Sequence, residues 1–273
     1  MHKKYVHGYS DRESIRLNDQ ANTLSELLHH DTLFPEGARV LEIGCGVGAQ
    51  TVIICKKNPL MKLTSIDISE DSIRVAKERC SEAGITNVNF IQADLYSMPF
   101  QPDSFDYVFL CFVLEHVTNP EEALAKIKKI IRPEGSLISI EGDHGSAYYH
   151  PRSDLAQRTI DCLIQLQAYT GADSLIGRRL FPLLKSQGFT NISVSPRMVY
   201  ADESRPEMVD GFTLKTFIAM VEGVEQKALQ KGLIDRNTWD AGIKDLRKTA
   251  LPDGVFCYTF FKAIGGKELV QRK

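Results

Sequence analysis

The stretch VLEIGCGVGAQT, residues 40–51, sets a short apolar run directly against three glycines at alternate positions. Such a run reads as a buried strand, and the glycines let backbone turn tightly and approach a ligand before a helix begins. That opens a strand–turn–helix unit, and the unit recurs. From Arg39 onward, short β-type runs alternate with helical periods, the pattern of a parallel sheet wound by crossover helices. The expected fold is therefore α/β: a Rossmann-like, doubly wound, mostly parallel seven-stranded sheet with helical cap insertions.

Arg39–Ile43 is the first expected strand and Val47–Lys57 the helix after the turn. Lys62–Asp67 is the second strand. Ser69 then offers an N-cap to a helix ending near Ala83, where Gly84 supplies the stop. Asn87–Gln92 and Phe105–Cys111 follow as strands. Pro120 opens a helix whose Leu124, Ile127 and Ile131 form a core stripe. The turn at Arg132–Gly135 leads to a fifth strand, Ser136–Gly142. There the alternation breaks. His144–Asp173 reads as an aromatic loop and a helix, and Gly177–Gln187 as a crossover helix in spite of Pro182. Thr190–Ser195 is the sixth strand and Val255–Ile264 the closing one. Residues 1–273 are expected to form a single domain. Within it, 1–30 is an N-terminal cap helix marked by Leu17, Ala21, Leu24 and Leu28, and 39–142 is a cofactor-binding core. Segments 143–173 and 200–250 are helical cap insertions, and 255–264 is the closing strand.

Composition narrows the partners. A net charge of −2 gives no basic footprint for nucleic acid. No apolar run approaches the roughly 20 residues of a membrane span. The N-terminus is polar with no apolar signal core, and the six cysteines are scattered without a C-x-x-C pair. A reduced, cytoplasmic protein with no nucleic-acid or membrane partner is the expectation.

Gly44, Gly46 and Ala49 satisfy the G-x-G-x-x-G/A pattern of a dinucleotide site, and the same letters fit S-adenosylmethionine. Asp67, about 20 residues past the glycines, can take both ribose hydroxyls in either case. Three features favour the sulfonium. Glu42, in the strand end, would be costly beside a pyrophosphate but welcome beside an ammonium group. Asp94 follows the third strand, where an adenine amine could donate to it. The fourth strand runs into Cys111–Val117 with no evident nicotinamide partner, and no catalytic Tyr-x-x-x-Lys is present.

Taken together, VLEIGCGVG, SID, QADLYSMPF and FDYVFLCFVLEHV resemble a class I S-adenosylmethionine-dependent methyltransferase. The nearest flavour is the small-molecule group that includes ubiquinone- and menaquinone-biosynthesis enzymes. The resemblance covers roughly residues 39–142 and is weak outside, apart from GRRLFPLLKSQGF. It implies that Gly44, Cys45, Gly46 and Gly48 pack around the methionine and ribose portions, with Glu42 orienting the amino end. It implies Asp67 on the ribose with Ile68 against an adenine face, Asp94 on the adenine amine with Leu95 nearby, and Cys111 and Phe112 lining the methionine side. Tyr9 and Arg16 are the candidates for closing over the cofactor, Arg16 as a carboxylate clamp.

Methyl transfer from a sulfonium is an in-line displacement, so a base is needed only if the acceptor must lose a proton. His116 and His144 are the candidate bases, with Glu141 and Asp143 close by in sequence. Asp143, His144 and His150 match no compact ligand spacing, so no metal is expected. The scattered cysteines lack the neighbouring thiols an arsenic acceptor would need. Tyr148, Tyr149, Tyr169, Tyr200, Phe212, Phe217 and Trp239 in the caps suggest a partly apolar pocket for a small-molecule acceptor. Two other readings share the turn: a non-catalytic S-adenosylmethionine-binding protein, and a nicotinamide-dependent oxidoreductase that leaves Glu42 and Asp94 without a role.

Overall fold

Alternation along the strands decides how the layers form. In β4 (Phe105–Cys111), Val108 and Leu110 join one apolar cluster while Phe109 and Cys111 join another on the opposite side. A strand buried on both faces needs helices on both. The computed structural model, which describes residues 11–269, supplies them. On one side lie α1 (Asp11–His29), α2 (Ala49–Lys57) and, further along the chain, α5 (Asp154–Tyr169). On the other lie α4 (Pro120–Ile130) and α6 (Leu180–Ser186). The helix α3 (Glu70–Glu82) follows β2.

The strands β1 (Arg39–Ile43), β2 (Lys62–Asp67), β3 (Val88–Gln92), β4, β5 (Ile131–His150), β6 (Thr190–Ala201) and β7 (Val255–Gly266) form one sheet in the order β3-β2-β1-β4-β5-β7-β6. β1 to β5 pair in parallel, and β7 runs antiparallel between β5 and β6. The order reverses between β1 and β4. This is the topological switch point, outside which open α/β sheets bind ligands.

Local chemistry fits the elements. Ser69 caps α3 by accepting from the Ser72 N–H, and Asn119 caps α4 with Pro120 in its first turn. Gly84 ends α3 at φ +69°. The expected crossover helix at Gly177–Gln187 is split into a 3₁₀ turn, Ile176–Arg179, and α6. Pro182 falls in the first turn of α6, where its missing N–H leaves no bond unmade.

The antiparallel half differs from the expectation. β5 does not stop at Gly142. After an irregularity between Asp143 and Tyr148 it resumes pairing, Tyr148 opposite Cys257 and His150 opposite Val255. The expected aromatic loop at 144–150 is thus strand, with Tyr149 stacked on Phe256 at 6.2 Å. β6 likewise runs on to Ala201, so the 200–250 segment begins in the sheet. Polar residues and Gly145 at the irregularity read as a loop, whereas a partner strand more than a hundred residues away supplies the hydrogen bonds that make them sheet. Beyond β6 the chain enters a π-helix, Val209–Ile218, held by bonds such as Thr216 Oγ1 to the Gly211 carbonyl at 2.7 Å. Such stretches occur often at functional sites. No helix among the described residues is long and apolar enough to cross a membrane.

Candidate active site

The turn after β1, the end of β2 and the turn after β3 meet at the C-terminal edge of the sheet, where a cavity of about 1080 Å³ opens. It has two halves. The first is walled by Gly44–Val47, Asp67–Ser69 and Ala93–Tyr96. Asp67 organises this half: its Oδ2 accepts from the Gly46 N–H at 2.8 Å and its Oδ1 from the Ser69 N–H at 2.9 Å. Burial raises its pKa, and backbone donors from Ser69, Gly46 and Ile68 oppose that shift. Asp94 caps a 3₁₀ turn, accepting from the Tyr96 N–H at 2.8 Å, and lines the same half. Asp94 thus caps this turn and stands on the cavity wall at once. Ile68 is 50% exposed beside them.

The second half is built by β4, β5, β7 and the π-helix. Phe112 follows β4 at φ +60°, a left-handed conformation that a non-glycine side chain adopts at a cost, and it packs on Phe260 at 5.3 Å. The 3₁₀ turn Leu114–His116 brings Glu115 and His116 to the wall, His116 Nε2 lying 3.2 Å from Glu115 Oε1. Glu141 fixes that turn from below. Its buried carboxyl accepts from the N–H groups of Val113, Leu114 and Glu115. Burial and the Glu115 charge push its pKa up, against the pull of those three donors. His144, 4% exposed, lines this half with Nδ1 at 2.8 Å from Tyr258 Oη. Burial lowers its pKa and leaves it neutral; Glu115 and Asp143 oppose that, His116 and Arg16 reinforce it. Phe212 and Phe217 of the π-helix close the apolar side. Arg16, on α1, reaches the cavity while its Nη1 donates to Gln20 Oε1 at 3.0 Å.

Residues 35–173, half of the chain, match the family model of the methyltransferase domain. The chain belongs to the class I S-adenosylmethionine-dependent methyltransferases. It is 33% identical over 107 residues to a demethylmenaquinone methyltransferase of Staphylococcus aureus, a match spanning 39% of this chain and 44% of that one. The chain thus covers less than half the length of the curated relatives it matches. Phosphoethanolamine N-methyltransferase 2 of Haemonchus contortus superposes with a TM-score of 0.59 at 18% identity, over 95% of this chain and 59% of that one. The 4+2 cyclase SpnF superposes with a TM-score of 0.55 at 18% identity, over 90% and 81% of the two chains. At these identities the likeness is one of fold. A cyclase among such neighbours shows that the fold alone does not name a reaction.

In this chain Arg16, Gly44, Cys45, Gly46, Asp67, Ile68, Asp94, Leu95, Cys111, Phe112, His116 and His144 all line the same cavity. Tyr9 lies outside the described residues. Two expected contacts stand elsewhere. Glu42 is not on the wall: it is 2% exposed, and Thr51 and Ser65 donate their hydroxyls to its Oε2 at 2.7 and 2.6 Å. Its strand position turns it toward α2, behind the glycine turn. Gly48 is not on the wall either. A Cβ there would stand 2.9 Å from Cα and Cβ of Ala76, so this glycine lets α2 approach α3. Asp143, an expected neighbour of the chemistry, is engaged by the Arg178 guanidinium at 2.6 and 2.8 Å. Of the cap aromatics, Tyr148, Tyr169 and Tyr200 are exposed and Trp239 is buried in the larger apolar cluster, off the cavity wall. Gln20, Gln50, Glu115, Tyr258 and Phe260 line the cavity without having stood out in the sequence. Nothing in the run VFCYTFF marks Tyr258, since its partner His144 lies 114 positions away.

Proposed function

We propose that this chain binds S-adenosylmethionine in the first half of the cavity and directs methyl transfer to a small-molecule acceptor in the second. One observation carries the reading: a continuous cavity joins the Gly44–Gly46 turn, Asp67 and Asp94 to an aromatic-walled chamber. The residues suit the cofactor. Gly46 has open space where a Cβ would project, with no heavy atom within 4 Å, so backbone can meet a ligand there. Asp67 would take the ribose hydroxyls, Ile68 one adenine face, and Asp94 the adenine amine with Leu95 beside it. Gly44, Cys45, Cys111 and Phe112 would hold the methionine side, and Arg16 its carboxylate.

The bound cofactor supplies an electrophilic methyl group. The chain itself aligns the acceptor and keeps water away, using walls such as Phe212 and Phe217, each 1% exposed. Where the acceptor must shed a proton, His116 takes it, held in place by Glu115 and, through the turn, by Glu141. Residues 1–273 act as a single domain in this reading, with α1 and the π-helix segment flanking the acceptor half.

Calorimetric titration with S-adenosylmethionine, S-adenosylhomocysteine and NADH tests it. Micromolar binding of the first two and none of NADH is expected, followed by release of the demethylated cofactor with small aromatic or heteroatom acceptors. Binding of NADH alone would overturn the cofactor. Cofactor binding with no turnover across a broad acceptor panel would overturn the transfer.

A further inference from the structure

A chain of four side chains runs from the interior to the cavity wall, and its protons can be placed one by one. Lys262, 1% exposed at its side chain, donates from Nζ to Thr32 Oγ1 at 2.8 Å. An ammonium only donates, so Thr32 accepts from it and its own hydroxyl proton needs another acceptor. Among the described residues that acceptor is His29 Nδ1, at 3.4 Å, the long end of such a bond. His29 is fully buried, and burial brings its pKa down to about 4; the Gln50 bond opposes the fall, and Lys262 and Lys57 add to it. The ring is therefore neutral, and with Nδ1 accepting, its one hydrogen sits on Nε2. That nitrogen lies 2.7 Å from Gln50 Oε1, which accepts from it. The opposite arrangement, with the Gln50 amide turned over and donating to Nε2, would strand the Thr32 hydroxyl proton on a residue with no exposed surface.

With Oε1 held against His29, the other corner of the Gln50 amide is its nitrogen. That nitrogen has no partner among the described residues, and it is not sealed from solvent as the buried unpartnered atoms are. Gln50 lines the cavity, as do Ala49 before it and Arg16 and Gln20 of α1. Here α2 begins with no described side chain capping it. Gly48 makes no cap bond and the first turn holds no acidic residue, so the positive end of the helix dipole is uncompensated. We infer that Gln50 gives an amide N–H to the carboxylate at the methionine end of the cofactor, sharing it with Arg16, and that Lys262, Thr32 and His29 are positioning residues that fix which corner of the amide meets the ligand. The inference rests on the reading of the glycine-turn half as the cofactor site. A carboxylate suits the place because it only accepts, whereas the amide nitrogen, the guanidinium and the first-turn N–H groups of α2 only donate. A turned-over Gln50 would set a carbonyl oxygen against it.

Long-range proton–nitrogen NMR on the whole chain reads the His29 tautomer without cofactor or turnover. The Nε2–H form is expected, and an Nδ1–H form overturns the inference. Adding S-adenosylhomocysteine should then move the Gln50 side-chain amide resonances; unmoved resonances overturn it as well. Calorimetry with S-adenosylmethionine and its decarboxylated form, matched except at the carboxylate, measures the contact. Gln50→Leu should weaken the first by roughly 10- to 150-fold, the range for a hydrogen bond to a charged group, and leave the second within about twofold. Gln50→Glu keeps the shape and the bond from His29 but sets an anionic oxygen in place of the N–H. It should show the same selective loss, larger than that of the leucine variant. Equal losses with the two ligands, or none with either, overturn the assignment. A wild-type chain that binds neither ligand removes the parent reading, whereas wild-type binding without a carboxylate-selective loss in the variants removes this inference alone.

Discussion

Substituting Gly46 and Gly48 by alanine should break different things, although the two positions are two residues apart in one motif. Both are left-handed, at φ +51° and +77°. A side chain in that region costs about 1–2 kcal/mol, and alanine offsets about 0.4–1 kcal/mol of this by stiffening the unfolded chain. For Gly46 nothing else is added, because no protein atom lies within 4 Å of the new Cβ. For Gly48 the Cβ meets Ala76 at 2.9 Å, backbone Cα included, and neither helix yields cheaply. Overpacking of that kind adds about 1–3 kcal/mol. Gly48→Ala should therefore lose about 1–4.6 kcal/mol and Gly46→Ala about 0–1.6 kcal/mol. At about 2–4 °C per kcal/mol, the fall in Tm is roughly 2–18 °C for the first and under about 6 °C for the second. Cofactor affinity should show the reverse. The Gly46 methyl enters the space proposed for the ligand and should cost about 1–3 kcal/mol, roughly 5- to 150-fold in Kd. Thermal unfolding by circular dichroism and calorimetry with S-adenosylmethionine, run well below both midpoints, give the two numbers. A Gly48→Ala variant as stable as Gly46→Ala but unable to bind cofactor would refute the reasoning.

Other expectations follow from the same geometry. Asp67→Ala should weaken S-adenosylmethionine binding by about 1.5–3 kcal/mol, the scale of a charge-assisted hydrogen bond, and unchanged affinity would remove Asp67 from the site. Burial pushes the Glu42 pKa up to about 7, so the folded state resists ionising it and loses stability as pH rises from about 4.5 to 7. Glu42→Gln should thus gain on the wild type by about 3 kcal/mol across that window, with cofactor affinity little changed; parallel stability curves, measured by denaturant titration, would contradict the assigned burial. Lys262, 1% exposed at its side chain, donates to Asp31 and Thr32 at 2.6 and 2.8 Å. Burial would raise the Asp31 pKa, yet bonds from Lys262 and Arg197 bring it down to about 2. That stabilisation is present above about pH 4 and fades as pH falls toward 2. Lys262→Met should cost about 1–2 kcal/mol at pH 7, discounted because Asp31 is partly exposed, and the gap from wild type should narrow in acid; a gap that stays constant with pH would mean the pair contributes nothing.

The glycine-turn half of the cavity was legible because it is local. Gly44, Gly46, Asp67, Ile68, Asp94 and Leu95 each lie within a few residues of a strand end, and parallel strands deliver their C-terminal ends to one edge. The exceptions are instructive. Glu42 is one residue inside the strand, and alternation turns it toward Thr51 and Ser65 behind the turn. Gly48 looks like its two companions in sequence, but its hydrogen faces Ala76 on the following helix, a neighbour that only the packing of α2 on α3 brings near.

By itself, then, the sequence determined the winding of β1 to β5, the glycine turn, and which acidic residues arrive at its rim. These depend on hydrophobic period, caps and turn residues, all written within short windows of chain. Tertiary structure alone decided the other half: the run of β5 past Gly142, the antiparallel partnership with β7, and the meeting of His144 with Tyr258. Those contacts join residues more than a hundred positions apart. Their hydrogen bonds and aromatic packing exist only once the sheet has closed, so no local pattern encodes them.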